Sequence, residues 1–242
     1  MYEKIYVSPS SQPENTYAAG KTNEQAQCRR IALATVDALK RCGFDAKTNV
    51  KDGSTMYTRV RESNSWGADL HAPIHTNAFN KKLQGTRMFC ASLTGKGGKA
   101  CKAILDELKP VVPGESDGIK VEDFYEITAS NAPCAYIEAG FHDNAEQAQW
   151  IIDHVVDIAE AICRGICKHF GRKYIAPNGE VAPEEKPAEK PAEKPVAKDY
   201  IYRVFNAAGK QVGAYANETN AMNAVKKQAK ADGSAKVTYG PR

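Results

Sequence analysis

The sequence predicts an α/β protein: a mostly parallel, twisted sheet covered by helices on both faces, with a small α+β module at the C-terminal end. Two observations carry this expectation. From residue 4 to residue 170, short apolar runs alternate with amphipathic segments of helical length, the pattern of strands joined by helical crossovers. After Gly171 the composition turns to Pro, Glu and Lys, including the repeat PAEKPAEKP, and apolar order returns only at Asp199. The expected domains are therefore 1–174, a linker over 175–198, and a module over 199–242.

The elements come in this order. Lys4-Ile5-Tyr6-Val7 is a first strand, stopped by Ser8-Pro9-Ser10-Ser11, and a polar loop runs to about Gly20. Thr22 or Asn23 caps a helix with Ala26, Ile31, Val36 and Leu39 on its apolar face, ending at Gly43. Phe44 to Val50 is a second strand, and Thr55 to Trp66 a second helix. Leu70, Ala72 and Ile74 make a buried strand that runs into His75-Thr76-Asn77. Gly85 to Ser92 reads as strand and Gly98 to Val111 as helix. Phe124 to Thr128 and Cys134 to Phe141 read as two more strands. Asn144 caps one long helix from Ala145 to about Phe170. In the tail, Tyr200–Phe205 and Gln211–Tyr215 form a hairpin turned at Gly209, Thr219 to Ala231 a helix, and Ala235 to Tyr239 a last strand.

Composition narrows the function. A hydrophobic fraction of 42% is enough for a core, and the mean hydropathy of −0.51 is lowered by the charged stretch late in the chain. The net charge of +4 is mild, and no dense Arg/Lys stripe with interleaved aromatics marks a nucleic-acid binder. No apolar run approaches the roughly 20 residues of a membrane span, and MYEKIYVSPSSQ lacks the apolar core of an export signal. Seven cysteines without a CxxC pair read as reduced core thiols of a protein made in the cytoplasm. The oligomeric state is left open by the sequence.

In open α/β sheets, chemistry gathers outside the carboxyl ends of the strands. Glu24, His75 and Glu138 (in CAYIEAGF) all stand at such element ends. One imidazole and two carboxylates around an open position suit a zinc hydrolase, whose metal polarises a carbonyl while a free carboxylate takes a proton. Helix-dipole stabilisation is the plainer account of Glu24. His71 lies four residues before His75, roughly 13 Å away at strand rise, too far to share a metal. It is expected to be packed or hydrogen-bonded beneath the site.

The local motifs add a resemblance. Arg59 and Asn64, then Ile74-His75 with Asn77-Ala78, then Glu138, Gly140, Phe141 and Asn144 together resemble the N-acetylmuramoyl-L-alanine amidases of the amidase-3 type, over about residues 4 to 170. That resemblance implies a Zn2+ cofactor, Glu24 and His75 as metal ligands, Glu138 as the catalytic carboxylate and Asn77 as a pocket residue. The implied substrate is peptidoglycan, cut between N-acetylmuramic acid and L-alanine. One departure stands out. The family's first strand ends Asp-Pro-Gly-His-Gly, its His being a zinc ligand, whereas this chain reads Ser8-Pro9-Ser10-Ser11-Gln12. Three outcomes stay open: His142 fills the vacancy, Gln12 or a water completes the shell, or the site is inactive and the domain only binds glycan. The layout of catalytic domain, linker and basic tail, with seven Lys/Arg against three Asp/Glu after residue 198, resembles an endolysin released through a holin, or an autolysin. The tail faintly resembles half of a sporulation-related-repeat (SPOR) wall-binding domain.

Overall fold

A computed structural model describes residues 2–181, 200–215 and 218–241. The chain divides into two compact units, Met1–Glu184 and Glu185–Arg242. Most of the expected linker, 182–198, lies outside the described residues.

The first unit is built on a six-stranded sheet of order β2-β1-β3-β6-β4-β5. Its strands are β1 (Lys4–Pro9), β2 (Asp45–Thr48), β3 (Leu70–Asn77), β4 (Arg87–Cys90), β5 (Gly118–Val121) and β6 (Tyr136–Phe141). β2, β1, β3 and β6 run parallel, and β5 runs parallel to β4. β4 is antiparallel to β6. The reason is the connection. β3 ends at Asn77 and β4 starts at Arg87, and so short a loop holds no helical crossover, which a parallel return would need.

The central strands are buried on both faces, and alternation sorts their side chains. Ile5 and Val7 of β1, Leu70 and Ile74 of β3, and Ile137 and Ala139 of β6 enter the main core. That core lies beneath α1 (Glu24–Arg41), α3 (Lys96–Leu108), α5 (Ala145–Asp153) and α6 (Val155–Phe170). Tyr6, Ser8, His71, His75, Tyr136 and Glu138 leave the same strands on the opposite face, toward α2 (Met56–Trp66) and the one-turn α4 (Tyr125–Thr128). The sheet is thus greasy on one side and strongly polar on the other.

Two expectations are corrected and one strand is added. Phe124–Thr128 is helical rather than strand. The amides of Ile127 and Thr128 turn back onto the Phe124 carbonyl and that of Ala129 onto Tyr125, closing one helical turn that carries the Glu126 carboxylate to Ser8, His71 and His75. The long final helix is two helices, broken at His154, whose ring stacks on Trp150 and whose Nδ1 lies 2.8 Å from the Trp150 carbonyl. The apolar spacing runs through the break without a shift, because Ile151 and Val155 are both buried. β5 is a short edge strand, half exposed, that the sequence reading passed over.

α3 and α6 cross at close range. A Cβ built on Gly165 would sit 2.3 Å from the Ile104 Cα and 2.8 Å from the Ala103 carbonyl oxygen. Backbone cannot yield as a side chain does, so Gly165→Val is expected to cost about 3 kcal/mol. Urea-denaturation midpoints test this, and an unchanged midpoint would mean that the helices part freely.

The turn after α6 meets the chain just ahead of β1. Arg172 pairs with Glu3, 2.5 Å apart, just before β1 begins. All seven cysteines are buried free thiols. No helix among the described residues is long and apolar enough to cross a membrane.

The second unit is an antiparallel sheet of order β8-β7-β9, formed by β7 (Tyr200–Asn206), β8 (Gln211–Tyr215) and β9 (Ala235–Pro241), with helix α7 (Glu218–Asp232). The hairpin turns at Gly209, whose φ of 74° is open to glycine without strain. Val204 and Ala221 are buried within it.

Candidate active site

The polar face of the sheet converges on His75 at the carboxyl end of β3. Its Nδ1 lies 2.9 Å from Glu24 Oε1 and its Nε2 3.2 Å from Glu126 Oε2. Its ring stacks on Tyr136 at 4.6 Å. One imidazole is therefore held between two carboxylates. Burial pulls the His75 pKa down, but the hydrogen bonds and charges of Glu126 and Glu24 outweigh it, raising the imidazolium to about 10.

Glu24 arrives from the first turn of α1. Asn23 caps that helix by accepting from the Ala26 amide, and the carboxylate also faces the positive end of the helix dipole. Asn15 Nδ2 donates to Glu24 Oε2 at 2.6 Å and to Gln12 Oε1 at 2.5 Å. Burial raises the Glu24 pKa, yet His75, Asn15 and Ser10 together hold it below the usual carboxylate range.

Glu126 arrives from α4 and is 2% exposed. Its Oε1 accepts from Ser8 Oγ at 2.5 Å and faces His71 Nε2 at 3.3 Å. Arg59 of α2, 1% exposed, donates through Nε to Ser8 Oγ at 3.2 Å and through Nη1 to Ser54. Burial pushes the Glu126 carboxyl up, but His71 and His75 hold it well below the ordinary range. Ser8, Arg59, His71 and Glu126 thus form a buried network beneath His75.

Glu138 is the register partner of His75 on β6. Equivalent residues on adjacent parallel strands are about 4.8 Å apart and share a face. Its Oε2 is buried with no hydrogen-bond partner. Burial and the nearby Glu24 charge push its pKa to about 8, against the opposing pull of His75 and Arg87. A buried carboxyl poised near neutrality beside charged neighbours is the environment of a general acid or base.

The other expected site residues are placed differently. His142 does not join Glu24 and His75: among the described residues, these three make no trio with ligand atoms all within 4.8 Å. His142 Nδ1 instead lies 2.9 Å from the Thr76 carbonyl oxygen and 3.0 Å from Thr76 Oγ1, and its ring stacks on Tyr17. His142 lies four residues past Glu138, a spacing that shares a face in an unbroken strand. However, β6 bulges after Glu138, so that His75 pairs with Glu138 but Asn77 with Phe141. The extra residue reverses the facing of the residues beyond it. The Gln12 carboxamide reaches Glu24 through Asn15 rather than standing beside His75 as a ligand. The Asn77 carboxamide oxygen is occupied by the Ala78 amide at 2.8 Å. His71 lies beneath the site, as its position in β3 implied.

The sequence reading missed Glu126 as a site residue. The available signal was a single acidic residue inside the apolar run Phe124-Tyr125-Glu126-Ile127, a charge that burial tolerates only with partners.

The donors fit a divalent cation incompletely but in kind. Glu24 and His75 offer a carboxylate oxygen and an imidazole nitrogen side by side. Glu126 on the far ring nitrogen is the support that metal-bound histidines commonly have. The unpartnered Oε2 of Glu138 belongs to the same polar face. Ser11 or Gln12 stands where the resemblance placed a second imidazole, so Glu24 and His75 are two strong ligands rather than three.

Comparison with known proteins agrees with this architecture. A family model described as N-acetylmuramoyl-L-alanine amidase matches residues 10–168. An uncharacterized protein of Bacillus subtilis, YqiI, is 28% identical over 173 residues, covering 69% of this chain and 84% of that protein. The N-acetylmuramoyl-L-alanine amidase CwlM of Bacillus licheniformis is 25% identical over 178 residues, covering 69% of this chain and 68% of that protein. Among solved structures, the catalytic domain of the amidase CwlV from Bacillus (Paenibacillus) polymyxa superposes with a TM-score of 0.64 at 17% identity, covering 71% of this chain and 99% of that one. The catalytic domain of the CD27L endolysin, which targets Clostridia difficile, gives 0.57 at 21%, covering 69% and 98%. At these identities the structural likenesses speak for the fold, while the family match spans most of the chain. The chain belongs to the amidase-3 family of N-acetylmuramoyl-L-alanine amidases.

Proposed function

We propose that the protein hydrolyses the amide bond between N-acetylmuramic acid and L-alanine in peptidoglycan, with Zn2+ as its cofactor. The observation that carries this reading is the unpartnered, near-neutral carboxyl of Glu138 beside a His75 fixed by two carboxylates. Glu24 and His75 would hold the metal. Bound there, zinc polarises the scissile carbonyl and acidifies its water. Glu138 takes a proton from the attacking water and returns it to the departing amine, a role its raised pKa suits. Glu126 fixes the His75 ring through Nε2, and Ser8 and Arg59 fix Glu126. Asn15 holds the second oxygen of Glu24.

The biological role we infer is that of an endolysin or autolysin. The first unit cuts, and the second, basic unit serves as a wall-binding module that raises local substrate concentration. Ser11 or Gln12 in place of an imidazole favours weaker metal retention than a three-ligand site gives.

The decisive experiment incubates the purified chain with peptidoglycan and follows newly exposed L-alanine amino termini. Chelation should abolish release by a hundredfold or more, and added zinc should restore it. Absence of release at saturating zinc, or release indifferent to chelation, would leave a wall-binding protein without turnover or a metal-free hydrolase in its place.

A further inference from the structure

A second set of ligand-bearing side chains lies far from His75. Cys42 caps the C-terminal end of α1, and Cys163 and Cys167 sit one turn apart on α6. Their sulfurs all lie within 4.8 Å of one another, and all three residues are buried. Cys163 Sγ is 3.6 Å from Cys42 Sγ. This is the single such convergence of Cys, His, Asp or Glu among the described residues. It is not the catalytic site. Glu24 and Cys42 bracket the 18 residues of α1, about 27 Å at 1.5 Å per residue.

The spacing has a chemical meaning. A cation bound at about 2.3 Å by three thiolates places the sulfurs roughly 3.8 to 4.0 Å apart, so this trio needs only small side-chain rotations. A disulfide needs sulfurs at about 2.05 Å and would leave one of the three thiols over.

The surroundings of Cys42 also suit a thiolate. The Ile175 amide donates to Cys42 Sγ at 3.3 Å, which stabilises negative charge on that sulfur. The adjoining Arg41 donates through Nε to the Ile175 carbonyl oxygen at 2.8 Å and through Nη2 to Glu160 at 2.5 Å. Tyr174 donates to the same Glu160 oxygen at 2.6 Å. The segment after α6 is thereby drawn over the sulfurs.

We propose that Cys42, Cys163 and Cys167 form a structural site for a thiophilic d10 cation, Zn2+ or Cu+, which clamps the end of α1, the last turns of α6 and the segment through Ile175. Soft thiolates select such cations over hard ones. With three sulfurs and no fourth protein donor in the trio, Cu+ is bound three-coordinate, whereas Zn2+ takes an added solvent ligand. On binding, each thiol that becomes a ligand gives its proton to solvent, and no oxidation is involved.

Cobalt titration of the reduced, metal-free full chain tests the site. Thiolate ligation gives a sulfur-to-cobalt charge-transfer band in the near ultraviolet, and added Zn2+ should abolish it. The band should persist in His75→Ala and be lost, with at least a tenfold fall in affinity, in Cys163→Ser. Metal analysis after separate exposure to Zn2+ and to Cu+ under reductant decides which ion the site retains. Absence of the band in the wild-type chain together with no Cu+ retention against a chelator overturns the proposal. So does a mass two hydrogens low in freshly isolated protein, which reports a disulfide. The wild-type measurements decide the matter even where a variant fails to fold.

Discussion

Glu138→Gln is expected to lower peptidoglycan amide cleavage by at least about a hundredfold and, in the metal-free protein, to resist unfolding better than the wild type above pH 8. The two effects share one cause. Glu138 is buried without a partner for Oε2, and its carboxyl titrates near 8 in the fold against 4.5 when unperturbed. Between those values the folded chain carries a proton that the unfolded chain has lost. Stability from this group is therefore complete below about pH 4.5 and is lost as pH rises through about 8. The full loss is on the order of 3 to 5 kcal/mol. Glutamine keeps the shape and carries no charge, so its advantage over wild type should be small at pH 5 and large at pH 9. Urea midpoints of both proteins at the two pH values measure this. An equal gap at both pH values would show that Glu138 ionises freely in the fold, and retained activity would remove it from the mechanism.

Glu126→Ala is expected to be the more disruptive change to the fold. Its carboxylate faces Ser8, His71 and His75 at once. Removing it leaves the buried Arg59 guanidinium and the His75 imidazolium short of a counter-charge, a loss of about 3 to 5 kcal/mol. Glu126→Gln separates positioning from stability. It keeps the volume but weakens the grip on His75 Nε2, and zinc affinity should fall tenfold to a hundredfold. Competition with a chromophoric chelator measures that fall. Wild-type zinc affinity in the glutamine variant would show that His75 is oriented without Glu126.

The sheet was legible because burial leaves a simple record. Ile5 and Val7, or Leu70, Ala72 and Ile74, must be apolar whatever lies around them. His75 and Glu138 were legible because they end such runs. The features that escaped depend on partners distant in sequence. Glu126 is held by Ser8, His71 and His75, at least 51 positions away in the chain, which no local pattern around residue 126 reveals. His142, one of three open candidates for the missing ligand, faces Thr76 and Tyr17 because one extra residue in β6 reverses its facing, and no periodicity along a single strand reveals a bulge that is defined only against β3. The break at His154 was hidden for the converse reason: the apolar spacing there satisfies one helix and two helices equally well.

The pairing of Glu3 with Arg172 has a topological consequence. It brings the start of β1 and the end of α6 side by side at the amino edge of the parallel strands. A six-residue strand, about 20 Å at 3.3 Å per residue, separates that edge from the carboxyl end where His75 stands. A short bridge from Arg172 back to Glu3 would therefore close the sheet and its helices into a ring, at the loss of the Tyr174–Ile175 segment beside Glu160 and Cys42. The backbone can then be reopened in an exposed loop such as 79–83, giving a circular permutant with the same sheet order. Fusion partners joined at the native seam would enter from the edge remote from the catalytic pocket.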